Sequence, residues 1–527
     1  MSYASPLYLA FFLPVVLIIY QLFPQKLRWL ILLLASYGFF FLSSKKLIVY
    51  LLLTTLLIYA CGRLMAYLKD KCKEAASGMD RKEASSLKKA YKKKEKYILI
   101  AAILILLATL AYLKYYNFFV VNSSSLLSHL GLSLVTKNLA LPLGISFYTL
   151  EAIGYLADVY WGKIDGRQPL GKVALFLAFF PQLMEGPIAM YHQTADDLWA
   201  GRSLKLDNLI QAAIRMLWGI FKKMVVADRL NTLVAAVFDH YHNYHGCMIV
   251  IAAIAYATQL YMEFSGCMDI IIASGQMFGI KLPENFNQPF ASKSAAEFWR
   301  RWHMTLGVWF KTYIFYPVSM SKLAKKWNKF AKARFGKYIA KLGVSAICLF
   351  PVWLANGLWH GARWSYIFYG MYYFVILFTG LAIEPLRDKV VAALHLNMQS
   401  GYYRFLQTAK TWCIIFTGEL FFRANGLKAG FSMFFSIFHS FNISCLWNGS
   451  LLKLGLDRGD FMAICYGVIL AAVVGTVKEK KLLGEEGLYG LKTPLRWTIY
   501  YGLILGILIL GAYGAGYTQV DMIYAKF

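Results

Sequence analysis

The chain has 527 residues, of which 59% are hydrophobic, 17% aromatic and only 16% charged, with a mean hydropathy of +0.51. Soluble domains carry closer to a quarter charged residues, so a string of soluble domains is excluded and a single polytopic membrane domain over residues 1–527 is expected. The net charge of +28 does not signal nucleic acid. Lys and Arg gather between apolar runs, as in cytoplasmic loops facing anionic lipid, and no arginine–aromatic nucleic-acid module is visible; membrane lipid is the expected partner.

In chain order, the N-terminus lacks a basic region before its first apolar run and a small-residue cleavage site, so 5–23 reads as a retained span. Spans near 27–42 and 47–68 follow. Residues 69–96 (KDKCKEAASGMDRKEASSLKKAYKKKEK) then form a basic cytoplasmic loop, which by the positive-inside rule puts the N-terminus outside. The short PQKLR loop at 24–28 agrees with that orientation, whereas Lys45 and Lys46 argue mildly against it. Residues 97–119 cross outward, and apolar stretches recur near 138–160, 171–190, 208–226, 246–262 and 264–280. The segment 288–317 is amphipathic and too polar for a lipid-facing span. Residues 322–341 (KLAKKWNKFAKARFGKYIAK) suit a basic interfacial segment on the cytoplasmic surface. Spans near 342–358, 365–384, 408–423, 461–477 and 496–514 complete an all-α chain with roughly ten stretches long enough to cross a bilayer. The eight cysteines (61, 72, 247, 267, 348, 413, 445 and 465) include no CxxC pair, so neither a disulfide framework nor a zinc site is expected.

Charge at membrane depth is costly and marks cavities and chemistry. Here the set is Glu151, Asp158, Glu185, Glu263, Asp269, Glu297, Arg300, Arg301, His303, His360 and Arg363, most of it between residues 260 and 365. His303 lies in AEFWRRWHMTLGVWF and His360 in NGLWHGARWSYIFYG. A lone buried histidine is as readily a packed one. Two in Trp- and Arg-rich segments favour chemistry, and the chemistry that suits imidazole is acyl transfer, where it removes the proton of an attacking hydroxyl. Asn356 shares a helical face with His360 and could orient the ring, steady an oxyanion or simply tie helices together. A serine triad lacks its GxSxG elbow. Asp239, His240, His242 and His245 in DHYHNYH could ligate a metal, but no further ligand is identifiable, so no metal is expected.

These segments resemble the membrane-bound O-acyltransferase family, in particular its bacterial alginate and peptidoglycan O-acetylase branch. The resemblance is carried by LPLGISFYTLEAIGYLADVYWG (141–162), FFPQLMEGPI (179–188), YMEFSGCMDI (261–270) and FGIKLPENFNQPF (278–290). It continues through EFWRRWHMTLGVWF (297–310), GLWHGARW (357–364), FFRA (421–424), the opening FFLPVVLIIYQLFP and the closing MIYAKF. It implies about eleven spans with re-entrant or interfacial helices around a central funnel, His360 as the catalytic histidine at the pinch, and His303 as a second active-site histidine. It also implies a cytoplasmic acyl donor and an extracytoplasmic acyltransferase partner protein. Departures from the family pattern are Glu151 in place of a usual Gln, Glu185 in place of an apolar residue, and Cys267 and Met268 in place of Tyr and Ser.

The leading expectation is a bacterial plasma-membrane polysaccharide O-acetyltransferase with acetyl-CoA as donor and no tightly bound cofactor. Arg300, Arg301, Lys311 and Lys322 would draw the donor phosphates. Trp299, Trp302 and Trp359 would wall a dry tunnel, with Asn356, Glu263 and Asp269 lining the substrate path. Two rivals stand beside it. One is D-alanyl transfer toward teichoic acid from a phosphopantetheinyl carrier protein. The other is a lipid or glycan transporter using the same buried groups as a proton relay.

Overall fold

A computed structural model describes residues 2–129, 134–439, 441–484, 487–513 and 517. The closing segment 522–527, named above for its resemblance, lies outside them. The described chain is helical, and seven helical stretches are long and apolar enough to cross a membrane. These are Gln25–Ala76, Arg81–Ser124, Cys247–Met277, Lys322–His360, Trp364–Ala382, Arg458–Glu479 and Thr493–Leu510, with Leu7–Leu22 as a shorter apolar helix. The protein is therefore a multi-pass membrane protein.

Seven, against the roughly ten stretches expected, has identifiable causes. The runs at 246–262 and 264–280 are one continuous helix of 31 residues, Cys247–Met277. The run at 138–160 gives Ile145–Trp161, 17 residues whose side chains from 145 to 159 are all buried. A helix apolar on every side is a core element of the protein as readily as a lipid-facing one. The run at 171–190 yields only the nine-residue helix Leu170–Ala178. The basic segment 322–341 belongs to the same helical element as the span after it, Lys322–His360, with non-helical backbone at Gly336 (φ 85°) inside the basic part.

The described residues form two compact units, one from 2–213 and 271–283, the other from 214–270 and 284–517. In the first, the core is aromatic: Tyr3, Tyr8, Phe39 and Phe180 are wholly buried, and the Tyr3 hydroxyl donates to the Phe180 carbonyl at 2.6 Å. Two buried acids of this unit have local partners. Glu151 accepts from Gln182 Nε2 at 2.9 Å, and Asp158 pairs with Lys163 at 3.2 Å. Residues 69–96 occupy the facing ends of Ile48–Ala76 and Arg81–Leu110, joined by a four-residue connection.

In the second unit the helices Lys322–His360 and Trp364–Ala382 form a tight hairpin. Their backbones touch where neither side has a Cβ: one added at Gly357 would stand 2.4 Å from the Tyr366 carbonyl oxygen, and one at Gly370 2.2 Å from that of Trp353. Glycine here permits the approach and brings the last turn of the first helix, with His360 in it, against the aromatic face of the second. A buried ionic network ties Cys247–Met277 to the segment Lys222–Ala227, a π-helical turn. Lys222 pairs with Asp269 at 2.7 Å, Arg215 with Asp269 at 2.9 Å, and Lys223 with Glu263 at 2.9 Å and Asp228 at 3.1 Å.

Candidate active site

His303 lies outside the candidate spans, in the bend between the short helices Ala295–Arg301 and Met304–Phe310. Its backbone sits in the left-handed region (φ 45°, ψ 51°), a conformation that side-chain-bearing residues adopt rarely and that recurs at functional sites. Asn285 holds the bend. Its carbonyl accepts the Met304 amide at 2.9 Å. Its side-chain oxygen accepts the Thr305 amide at 3.1 Å and the Thr305 hydroxyl at 3.0 Å, and lies 3.2 Å from His303 Nδ1. A backbone amide can only donate, so the Asn285 atom facing Thr305 is the oxygen. The Nδ1 beside that oxygen must then carry the hydrogen, which leaves the lone pair of the neutral ring on Nε2. Burial, with His303 3% exposed, pushes the imidazole down to about 3. The ring is thus neutral at physiological pH, with its tautomer set.

His360 ends the helix Lys322–His360 and is also buried. Its ring meets Phe422 at 5.0 Å and Tyr369 at 5.8 Å, both edge-to-face. Trp359 connects the two histidines: its ring centroid is 5.5 Å from that of His303 and 5.0 Å from that of His360. Residues 57 positions apart in the sequence are therefore brought to one indole. Phe264 closes on His303 from the Cys247–Met277 helix at 4.9 Å. Trp302 stacks on Phe298 at 5.4 Å and meets Phe286 at 5.1 Å. Trp299 packs between Trp353 (5.0 Å) and Tyr373 (4.7 Å). The walls are aromatic, as suits a site that must keep water from a reactive acyl group.

The remaining residues expected at the site divide by surroundings. Asn356 is buried one turn before His360, and its Oδ1 has no hydrogen-bond partner among the described residues. Arg301 is held by Glu297 at 2.9 Å and Glu479 at 2.8 Å. Arg300, Lys311 and Lys322 are exposed. Glu263 and Asp269 face the lysines and arginine of the ionic network. Among the described residues no group of three or more His, Cys, Asp or Glu side chains could hold a metal ion; Asp239 of the DHYHNYH segment pairs instead with Arg423 at 3.0 Å.

Over 448 residues the chain is 32% identical to a probable alginate O-acetylase of Pseudomonas putida, a match covering 83% of this chain and 80% of that protein. The chain belongs to the membrane-bound O-acyltransferase family. The family profile matches residues 166–425, a stretch that contains both histidines. A peptidoglycan O-acetyltransferase of Helicobacter pylori is 29% identical over 359 residues, 63% of this chain and 62% of that protein. A teichoic acid D-alanyltransferase of Bacillus subtilis is 29% identical over 242 residues, 46% of this chain and 59% of that protein. This member of the family is accordingly an acyltransferase. Sequence reasoning about it missed Asn285, Tyr369 and Glu419. Glu419 carried a usable signal, an acid inside the apolar run 408–423. Asn285 carried none beyond its place in a segment of resemblance.

Proposed function

We propose that this acyltransferase moves an acetyl group from cytoplasmic acetyl-CoA to a hydroxyl of a cell-envelope polysaccharide, with His360 as the general base. The observation that carries the reading is the pair of buried imidazoles on one indole, Trp359, inside aromatic walls. It is supported by identity with alginate O-acetylase along most of both chains. In the direct route His360 takes the proton of the attacking hydroxyl, whose oxygen bonds to the thioester carbonyl carbon. The carbon–sulfur bond then breaks, and the proton passes from the imidazolium to the departing thiolate. Asn356 is suited to bind the developing oxyanion through its amide N–H, or to orient the ring. His303, its Nδ1 hydrogen directed at Asn285, offers Nε2 as an acceptor. The exposed Arg300, Lys311 and Lys322 would guide the donor phosphates. In this reading the protein sits in the bacterial plasma membrane with an extracytoplasmic N-terminus and about eleven crossings that enclose a funnel, and the acceptor hydroxyl at His360 is either the polysaccharide's own or that of an extracytoplasmic partner that carries the acetyl group onward.

The match to the Bacillus D-alanyltransferase favours a second reading in which the cargo is D-alanine on a carrier protein. One experiment separates them: labelled acetyl-CoA and a D-alanyl carrier protein are offered separately to the purified protein in liposomes, wild type beside His360→Ala. Transfer from acetyl-CoA that disappears in a folded His360→Ala protein is expected. Transfer only from the carrier makes the second reading correct, and full activity in the variant removes His360 from the chemistry.

A further inference from the structure

We propose that Glu419 and Tyr369 form a positioning pair that fixes the His360 imidazole for proton transfer. The inference rests on the reading of His360 as the base and names residues that the reading does not use.

Glu419 is 2% exposed near the C-terminal end of the helix Gly401–Arg423, inside an apolar run where an acid is costly unless it is put to use. Its Oε1 accepts a hydrogen bond from the Tyr369 hydroxyl at 3.0 Å; its Oε2 has no partner among the described residues. Tyr369, 3% exposed, presents its ring to His360 at 5.8 Å with an interplanar angle of 87°. Phe422 follows Glu419 by three positions, on the same helix face. It meets His360 at 5.0 Å and 90°, and meets Tyr369 at 4.9 Å. Two of the rings around the imidazole are therefore set by the Glu419 helix: one directly through Phe422, the other through the hydrogen bond to Tyr369. Without that bond the Tyr369 ring keeps its packing against Phe422, Tyr373 and Trp299 but loses the anchor of its hydroxyl, and the edge-to-face contact that orients the imidazole loosens with it. Neither residue touches the reacting atoms in this scheme; both act through the ring of His360. A pair that merely tied two helices together would affect stability and leave the rate of the folded enzyme alone.

The test compares Tyr369→Phe, Glu419→Leu, Glu419→Gln and the double variant Tyr369→Phe/Glu419→Leu with wild type and His360→Ala, using labelled acetyl-CoA in liposomes. The thermal midpoint of each protein is measured in parallel. Misplacing a reacting group by about 1 Å costs on the order of a hundredfold, so Tyr369→Phe and Glu419→Leu should each lower kcat about tenfold to a hundredfold with KM for the donor unchanged. The double variant should lose no more than the worse single one, because the residues act as one unit. Glu419→Gln keeps an acceptor for the Tyr369 hydroxyl and should recover most of the rate. Tyr369→Phe or Glu419→Leu with wild-type kcat, or losses that simply multiply in the double variant, would overturn the pairing. If His360→Ala itself stays active, the reading of His360 as the base fails first; if it is inactive while Tyr369→Phe is not, the pairing alone is wrong.

Discussion

Replacing Asn285 by alanine tests the His303 geometry most directly. One oxygen, Asn285 Oδ1, accepts from the Thr305 amide and hydroxyl and sits 3.2 Å from His303 Nδ1, all within a site where Asn285 is fully buried. A buried donor deprived of its acceptor costs about 1–3 kcal/mol. For three donors, with water entering the vacated volume to satisfy part of the deficit, the expected net loss is about 3–5 kcal/mol. The left-handed bend at His303 loses its brace at the same time, and the imidazole loses the contact that fixes its tautomer. Wrong-tautomer placement of a catalytic histidine costs up to about 10⁴ in kcat in a serine-protease triad; for a histidine beside the base rather than the base itself we expect a loss of about 10²-fold. Asn285→Asp keeps an oxygen facing all three donors and should retain most of the activity. Its negative charge would, however, strengthen proton binding at His303 and move the pH–rate profile upward. The assay is acyl transfer from labelled acetyl-CoA in liposomes with kcat and KM resolved, beside thermal unfolding in detergent. An Asn285→Ala protein that is folded at the assay temperature and turns over at the wild-type rate would refute the reasoning. So would an Asn285→Asp protein as impaired as the alanine variant.

Two further outcomes follow from the same geometry. Because burial holds the folded-state value of His303 at about 3 against about 6.5 in an unfolded chain, the unfolded state binds the extra proton in the window between them. Stability should therefore rise with pH through that window and be lost as pH falls, by about 2 kcal/mol at about pH 5; thermal unfolding at about pH 5 and pH 7 should show the drop in wild type and a smaller one in His303→Gln. Gly370→Ala would put a Cβ 2.2 Å from the Trp353 carbonyl oxygen. An overpacking cost of about 1–3 kcal/mol is expected, read as a lowered thermal midpoint together with a reduced kcat, since the strained hairpin carries His360.

The membrane character and the general run of helices were legible in the sequence because apolar runs of that length have few other uses. What hydropathy cannot distinguish is an apolar helix that faces lipid from one that faces protein, and Ile145–Trp161, buried from residue 145 to 159, is of the second kind. Glu263 shows a different failure. An acid in the middle of an apolar stretch divides the reading at 262 and 264, yet Lys223 lies 2.9 Å from its carboxylate, and an acid neutralised in place does not interrupt a helix. The lysine that neutralises it sits 40 residues earlier, on another element, so the cancellation is invisible along the chain.

The candidate site was legible only in part. His303 and His360 stood out because polar rings among tryptophans are expensive to bury, and each lies in a segment that carries the family resemblance. Their meeting was not legible, since a separation of 57 positions along the chain fixes no distance. It depends on three local devices: the left-handed bend that Asn285 braces at His303, the glycine contacts at 357 and 370 that draw two helices together, and the placement of Trp359 beside His360 in the last turn of its helix. Asn285 and Tyr369 escaped notice because a lone amide and a tyrosine in a tyrosine-rich helix are ordinary residues until their partners are known. Glu419 is the exception, for its position in an apolar run carried as strong a signal as that of Glu263. The two acids differ in what answers them. Glu263 faces a lysine that cancels its charge, whereas the hydrogen-bond partner of Glu419 is the hydroxyl of Tyr369. A buried acid spent on a tyrosine that packs against the ring proposed as the base is better explained by the chemistry proposed for that ring than by the stability of the helices around it.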